Sequence, residues 1–286
     1  MPSVRDLRDR IKSLKNTQQI TKAMKQVAAA KIRRAEIVQK QARPYAETLG
    51  AMLHDLIDAV GTVDHPFMKP GAAGTPKGVL LMTADKGLAG AFNSNVIREA
   101  ERYARGSDGG VLWYAVGNKA RGAVRRMHVE PGFSEALSAG EKLALAQDVA
   151  AKLSDDFTSG KISEIVLISS KLVSVMVQRP LVRTLVPIVA EKKEASGSPR
   201  AEVEFAPSPE AVLTRLLPKY LEFTIYSAML ETDAAFYSAQ LIAMTNATDN
   251  AGKLLDELTL AMNKARQAAI TKEMLEIVGG AEAQTG

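Results

Sequence analysis

From Leu213 onward, one set of positions recurs at alternating steps of three and four residues. It runs Leu213, Leu216, Tyr220, Phe223, Ser227, Leu230, Ala234, Tyr237, Leu241, Met244, Thr248, Ala251, Leu255, Leu258, Met262, Ala265 and Ala269. Fifteen of the seventeen are apolar, where the local composition would supply about nine. An apolar seam held over eight heptads predicts a helix about 86 Å long, supercoiled to the left against a partner helix. Pro207 and Pro209 suit its start, Pro218 can bend its first turns, and Gly252 weakens it locally. The N-terminal 60 residues also read as helix, less regularly. Val4, Leu7, Ile11 and Leu14 form one seam. Ile20, Met24 and Val27 continue it after a phase shift. Ala42, Tyr45, Leu49, Met52, Leu56 and Ala59 form a third run that contains the helix-bending Pro44. Ser3 can cap the start, and Gly61, Pro66, Pro70, Gly71 and Gly74 mark the end.

Between these helices the period changes. Val79–Ala84, Val111–Val116 and Ile165–Ser169 are short continuous apolar runs, as expected of strands buried on both faces of a parallel sheet. Helical patterns over 94–105, 118–127 and 141–157 separate them, giving the order β-α-β-α-α-β of a doubly wound, Rossmann-like α/β domain. Val173, Val175 and Val177 alternate like an edge or antiparallel strand. The expected organisation is a helix over 1–60, a linker over 61–77, the α/β domain over 78–190, a polar Pro-containing linker over 191–209, and a second helix over 210–286. The fold class is therefore a long antiparallel coiled coil of the terminal helices with an inserted α/β domain.

Charge adds an asymmetry. Residues 1–43 carry twelve Lys/Arg and three acids, a local charge of +9 within a chain of net +5. Such an end calls for an acidic partner or, failing that, a solvated helix face. Cysteine is absent, which excludes disulfides, thiolate metal sites and cysteine catalysis. His54, His65 and His128 are isolated and read as surface or packing residues. No apolar run is long enough to cross a membrane, and MPSVRDLRDR has no signal-peptide character, so the chain is expected to be soluble or peripheral.

Candidate chemistry is sparse. The loop Asp85-Lys86-Gly87-Leu88-Ala89-Gly90-Ala91-Phe92-Asn93 follows the first strand, where α/β proteins cradle phosphates or place catalytic carboxylates. It is neither a dinucleotide fingerprint nor a P-loop, and Asp85 has no partner base nearby in sequence. A structural turn is the simpler reading, with Asn93 or Ser94 as the following helix cap. Arg266 and Gln267 offer a planar fork and an amide to a carboxylate or backbone partner. Met274, Leu275, Ile277 and Val278 form an apolar helix tip that wants a hydrophobic socket.

The run Asn16-Thr17-Gln18-Gln19-Ile20-Thr21-Lys22-Ala23-Met24-Lys25-Gln26-Val27-Ala28-Ala29 resembles the gamma subunit of F-type ATP synthases. So do Ala247-Thr248-Asp249-Asn250-Ala251-Gly252, the stretch Asn263 to Thr271, and Glu276-Ile277-Val278. The loop Asp85 to Asn93 is similar to that family's central-domain signature, with alanines where the family often has Cys or Gly. The resemblance spans the chain and implies a rotor without catalytic residues, cofactor or metal of its own. It implies alpha and beta head subunits, an epsilon subunit and a c-ring as partners, and no nucleic acid. Lys22, Met24, Lys25 and Lys31 would face beta-subunit loops. Arg266, Gln267 and Thr271 would hydrogen-bond another beta loop, and Met274, Leu275, Ile277 and Val278 would turn in a bearing of the head. Asp85, Lys86, Gly87, Gly90 and Asn93 would form the central-domain loop. The implied location is the cytoplasmic face of a bacterial inner membrane, held there through the c-ring. Beside this stand an α/β nucleotide-binding enzyme with helical arms, raised by the Gly87–Gly90 loop, and a coiled-coil nucleic-acid binder, raised by the +9 segment. Residues 1–43 contain no aromatic for base stacking, which disfavours the latter.

Overall fold

The computed structural model describes residues 3–60, 65–188 and 208–285. In chain order the elements are α1 (Val4–Val60), a single 3-10 turn (Pro66–Met68), β1 (Lys77–Met82), α2 (Phe92–Arg105), β2 (Val111–Val116), α3 (Asn118–Arg126), β3 (Phe133–Glu135), α4 (Lys142–Thr158), β4 (Ile165–Ser174), β5 (Val177–Val186) and α5 (Pro209–Thr285). They form two compact units. One is Ala30–Ala239. The other joins the chain up to Ala29 to the chain from Gln240 on. The glycines and prolines expected to end α1 fall partly at 61–64, and most of the 191–209 linker falls at 189–207. Both stretches lie outside the described residues.

In the helical unit, α1 and α5 run antiparallel. Gln18 stands beside Gly252, and three residues later the Thr248 hydroxyl donates to that of Thr21 at 2.8 Å. Leu7, Ile11 and Ala28 of α1 and Met244, Ala251 and Leu255 of α5 are buried. The inward positions of α1 step by three and four through Val4, Leu7, Ile11, Leu14, Gln18, Thr21, Lys25 and Ala28. The expected phase shift is therefore absent: the seam continues through polar residues, while Ile20 and Val27 are exposed. Thr21 tolerates this because its hydroxyl donates to the Gln18 carbonyl and accepts from Thr248. Gly252 also acquires a reason, since a Cβ there would lie 3.2 Å from the Gln18 side-chain nitrogen. At the start of α1, Ser3 and Asp6 exchange reciprocal bonds: the Asp6 amide donates to Ser3 Oγ and the Ser3 amide to Asp6 Oδ2.

In the other unit, a five-stranded sheet runs in the order β3-β2-β1-β4-β5, parallel except for β5, which pairs antiparallel with β4. One face, with Val79, Leu81, Trp113, Ala115, Val166 and Ile168, packs against α2 and α3. The other, with Leu80, Met82, Tyr114, Val116, Ile165 and Leu167, packs against α4 and the facing ends of α1 and α5. Pro44 and Pro218 are accommodated inside continuous helices, and Pro209 is the first residue of α5. Three expectations are corrected. A three-residue strand, β3, adds an edge that so short a segment could not signal. Val173, Val175 and Val177 do not share one strand: they lie around the turn of the β4–β5 hairpin. Neither Asn93 nor Ser94 caps α2, which starts at Phe92 after Ala91 with no side-chain cap.

The turn from β2 into α3 depends on Gly117, at φ 98°. A Cβ there would overlap the Thr83 carbonyl oxygen. The neighbouring Thr83 hydroxyl accepts from the Ala120 amide at 2.7 Å, and the Gly117 amide donates to the Glu135 carbonyl at 2.8 Å. Gly117→Ala should therefore lower stability by at least ~2 kcal/mol. Urea titration monitored by circular dichroism checks this, and a change within error would show that the turn relaxes freely.

Candidate functional site

Three sets of residues carried functional expectations, and they occupy different environments. The first is the loop after β1. In a doubly wound sheet a ligand sits where the strand order reverses, here between the carboxyl ends of β1 and β4. In this chain that position is filled from within. Ala84, Ala89 and Phe92 pack against Ala235, Phe236 and Ala239 of α5, with the Phe92 and Phe236 rings edge to face at 5.8 Å. The space an α/β enzyme would give to a substrate holds an aromatic pair.

Asp85 is committed in the same way. Its Oδ1 accepts from the Asn118 and Leu137 amides and its Oδ2 from the Ser138 amide, each at 2.9 Å. It thereby ties the loops after β1, β2 and β3 together and sits at the N-terminus of α3, where negative charge is favoured. Burial works to raise its carboxyl's pKa, but the hydrogen bonds from Ser138, Asn118 and Leu137 outweigh this and hold it below the ordinary aspartate value. Asn93 is a second clamp: Oδ1 accepts from the Ala84 amide at 3.1 Å and Nδ2 donates to the Lys86 carbonyl at 3.0 Å. Around these clamps Lys86, Leu88 and Gly90 are left outward. Leu88 has φ 62° and is 63% exposed, an apolar side chain displayed on a conformation that favours glycine. Gly90 has φ 57° in the same loop with open space around it, and a Cβ on Gly87 would meet only the Lys119 side chain, at 4.0 Å.

The second set lies on the N-terminal helix. Lys22 is exposed, while Met24 and Lys25 are half-buried along the α1 seam. Lys31, in the sheet-containing unit, is exposed but engaged: its Nζ lies 3.4 Å from the Tyr237 hydroxyl and 5.0 Å from that ring's centroid. The third set is the end of α5. Carrying the register of Gln18 with Gly252 and Thr21 with Thr248 forward brings Val4 level with residues near 265. From Arg266 to Val278 every side chain is exposed, so Arg266, Gln267, Thr271, Met274, Leu275, Ile277 and Val278 all lie beyond the paired region. The Thr271 hydroxyl donates to the Gln267 main-chain carbonyl at 2.9 Å. Ile270, Met274, Leu275, Ile277 and Val278 are each at least half exposed, an apolar stripe without an internal partner among the described residues.

The histidines take structural or outward positions. The His65 Nδ1 accepts from the Phe67 amide and caps the 3-10 turn, and burial holds its pKa below the ordinary histidine value. His128 is exposed, and the side chain of His54 lies outside the described residues. Among the described residues no cluster of His, Asp or Glu could hold a metal ion, and no helix is long and apolar enough to cross a membrane. A cavity of about 260 Å³ lies between α1, α5 and strands β4 and β5, lined in part by Ser169, Arg183, Tyr220 and Glu231. Burial raises the Glu231 carboxyl's pKa, but no second carboxylate or histidine joins it in the lining, so it does not form an acid–base pair.

The Asp85 clamp can be tested by pH. Because its folded-state pKa lies below the unfolded one, its stabilisation is complete above the ordinary aspartate value near 3.8 and is lost as pH falls through the folded value. Asp85→Asn should cost about 1–3 kcal/mol at neutral pH. The gap from wild type should narrow steadily below about pH 4. Chemical denaturation at several pH values measures it, and a gap independent of pH would assign the loss to packing instead.

A profile of the ATP synthase family matches residues 3–284. The ATP synthase gamma chain of Pelotomaculum thermopropionicum is 46% identical over 291 residues, covering 99% of each chain. That of Heliobacterium modesticaldum is 42% identical over 294 residues, again covering 99% of both. Among solved structures, a chain of the Euglena gracilis mitochondrial ATP synthase, from its OSCP/F1/c-ring assembly, superposes with a TM-score of 0.66 at 16% identity. That match covers 98% of this chain and 94% of the other, and it establishes a shared fold. The chain belongs to the ATP synthase gamma-chain family.

Proposed function

We propose that the chain is the rotary central-stalk subunit of a bacterial F-type ATP synthase, without catalytic groups of its own. The observation that carries this is the free end of α5: polar hydrogen-bonding groups at Arg266 and Gln267 followed by an exposed apolar stripe, all beyond the reach of α1. An exposed stripe of that kind is costly in water and is stabilised when a partner covers it. Full-length similarity to named gamma chains supports a partner of that class, as does the stalk fold.

In this reading the α5 tip turns in an apolar collar of the alpha and beta head, with Met274, Leu275, Ile277 and Val278 as bearing surface. Arg266, Gln267 and Thr271 hydrogen-bond a beta-subunit loop, and Lys22, Met24, Lys25 and Lys31 face acidic beta-subunit loops. The sheet-containing unit meets the epsilon subunit and the c-ring, which hold the chain peripherally at the cytoplasmic face of the inner membrane. The loop carrying Asp85, Lys86, Gly87, Gly90 and Asn93 presents Lys86 and Leu88 outward toward a neighbour, with Asp85 and Asn93 as its internal braces. A pair of unlike helices has no three-fold symmetry, so three equivalent head sites would each meet a different face. Site affinity then varies with shaft angle, which is a coupling free energy between shaft and site. The reading as a nucleotide-binding enzyme loses its site to Phe92 and Phe236.

Arg266→Ala combined with Gln267→Ala should slow ATP hydrolysis by the assembled complex about tenfold, the effect of losing ~1.4 kcal/mol at an interface. The melting temperature of the isolated chain should stay within about 2 °C, because both side chains are exposed. Parallel turnover and melting measurements check this. Equal losses in both would make these residues structural and remove the docking role. The isolated chain should hydrolyse no ATP.

A further inference from the structure

We propose that the cleft between α3 and the edge strand β3 binds a phosphate-class anion, either the headgroup of an anionic phospholipid or a free phosphate compound. Helix α3 carries Lys119, Arg121, Arg125 and Arg126 and no acid. Arg121 and Arg125, four residues apart, share one face and line a concavity of about 490 Å³ with Asn118, Gly122, Ser134 and an apolar wall that includes Pro131. Both arginines are exposed, and neither pairs with a carboxylate of the described residues. Like charges at this spacing repel, so the arrangement is relieved by an anion between them.

Arg121 is also held in place. Its Nε donates to Ser134 Oγ at 3.2 Å and its Nη1 to Asn118 Oδ1 at 3.1 Å. Neutral acceptors orient the guanidinium without cancelling its charge, and the donors left over point to a tetrahedral or planar oxyanion. Gly122 contributes no side chain, and a Cβ there would meet nothing nearer than the Arg126 guanidinium at 3.8 Å. The concavity suits one compact anionic group better than the flat face of a folded acidic protein. The gamma-chain assignment does not enter this inference, which stands on the cleft alone.

The full-length chain is titrated at low ionic strength with inorganic pyrophosphate by calorimetry, and with vesicles of phosphatidylglycerol or phosphatidylcholine by co-sedimentation. Arg121→Gln with Arg125→Gln should weaken pyrophosphate binding at least tenfold. The Lys pair, Arg121→Lys with Arg125→Lys, should also weaken it, since it keeps charge and loses the fork. Arg125→Gln alone, which breaks no internal hydrogen bond, should weaken binding severalfold and serves if the double variant fails to fold. Phosphatidylglycerol binding that pyrophosphate displaces and that the Gln pair diminishes identifies a lipid headgroup. Pyrophosphate binding with vesicle binding unchanged by the Gln pair identifies a free phosphate compound. No pyrophosphate binding, or equal affinity in wild type and in either the Gln or the Lys pair, overturns the site and leaves a diffuse basic surface open to an acidic protein.

Discussion

The structure depends on α5 burying two faces at once along its first thirty residues. One face carries seam positions such as Leu230 and Ala234; the other carries Leu213, Leu217, Leu221, Ile225 and Met229 at steps of four. The second stripe packs on the same side of the sheet as α4 and joins Leu53, Leu56 and Ile57 of α1 in one core. Helix pairing and sheet covering thus share one element. Removing either partner would expose a full stripe, at about 1.5–3 kcal/mol for each large side chain returned to water. Beyond Gln240 the second stripe disappears, and α5 keeps only the narrow seam that a single partner helix needs.

Much of this was legible in the sequence, and the misses have physical causes. The seam of α5 could be read because fifteen apolar positions keep one period. The stripe at Leu217, Leu221, Ile225 and Met229 carried an equal signal, but a search for one seam passes over a second at a different angle. Along α1 the error ran the other way. Ile20 and Val27 attracted the pattern because they are apolar, yet the helix turns Gln18, Thr21 and Lys25 inward and leaves those two outside. A paired helix tolerates polar seam residues when their groups bond locally, as Thr21 does with Gln18 and Thr248. β3 escaped because three residues in an edge strand, exchanging hydrogen bonds with Ala115 and its neighbours, need no periodicity.

The site was less legible than the fold because its groups act through distant backbone. Asp85 gave no local sign that it would receive amides from residues 33, 52 and 53 positions away. Asn93 looked like a helix cap because Asn before a helix usually is one, but bonding Ala84 and Lys86 served the loop better. Nothing local marked Phe236 as the residue that fills the sheet's ligand position. Its partner Phe92 lies 144 residues earlier, and the contact requires the chain to return through α5. The exposed end of α5 was readable, by contrast, because exposure there follows from simple length: α5 has 77 residues and α1 has 57.

Internal completeness at the sheet and incompleteness at the helix end bear on one conclusion. Where an α/β protein ordinarily leaves room for chemistry, this chain spends Phe92, Phe236 and Asp85 on bracing. Where a self-sufficient helix would end or turn polar, it extends Ile270, Met274, Leu275, Ile277 and Val278 into solvent. A protein built so gains stability by losing its ligand site and loses stability by displaying that stripe, and only an occupied complex makes both terms favourable. A helix base held in the core of the sheet-containing unit is what transmission of force along α5 requires. Mechanical coupling therefore follows from the same two-faced burial that holds the fold.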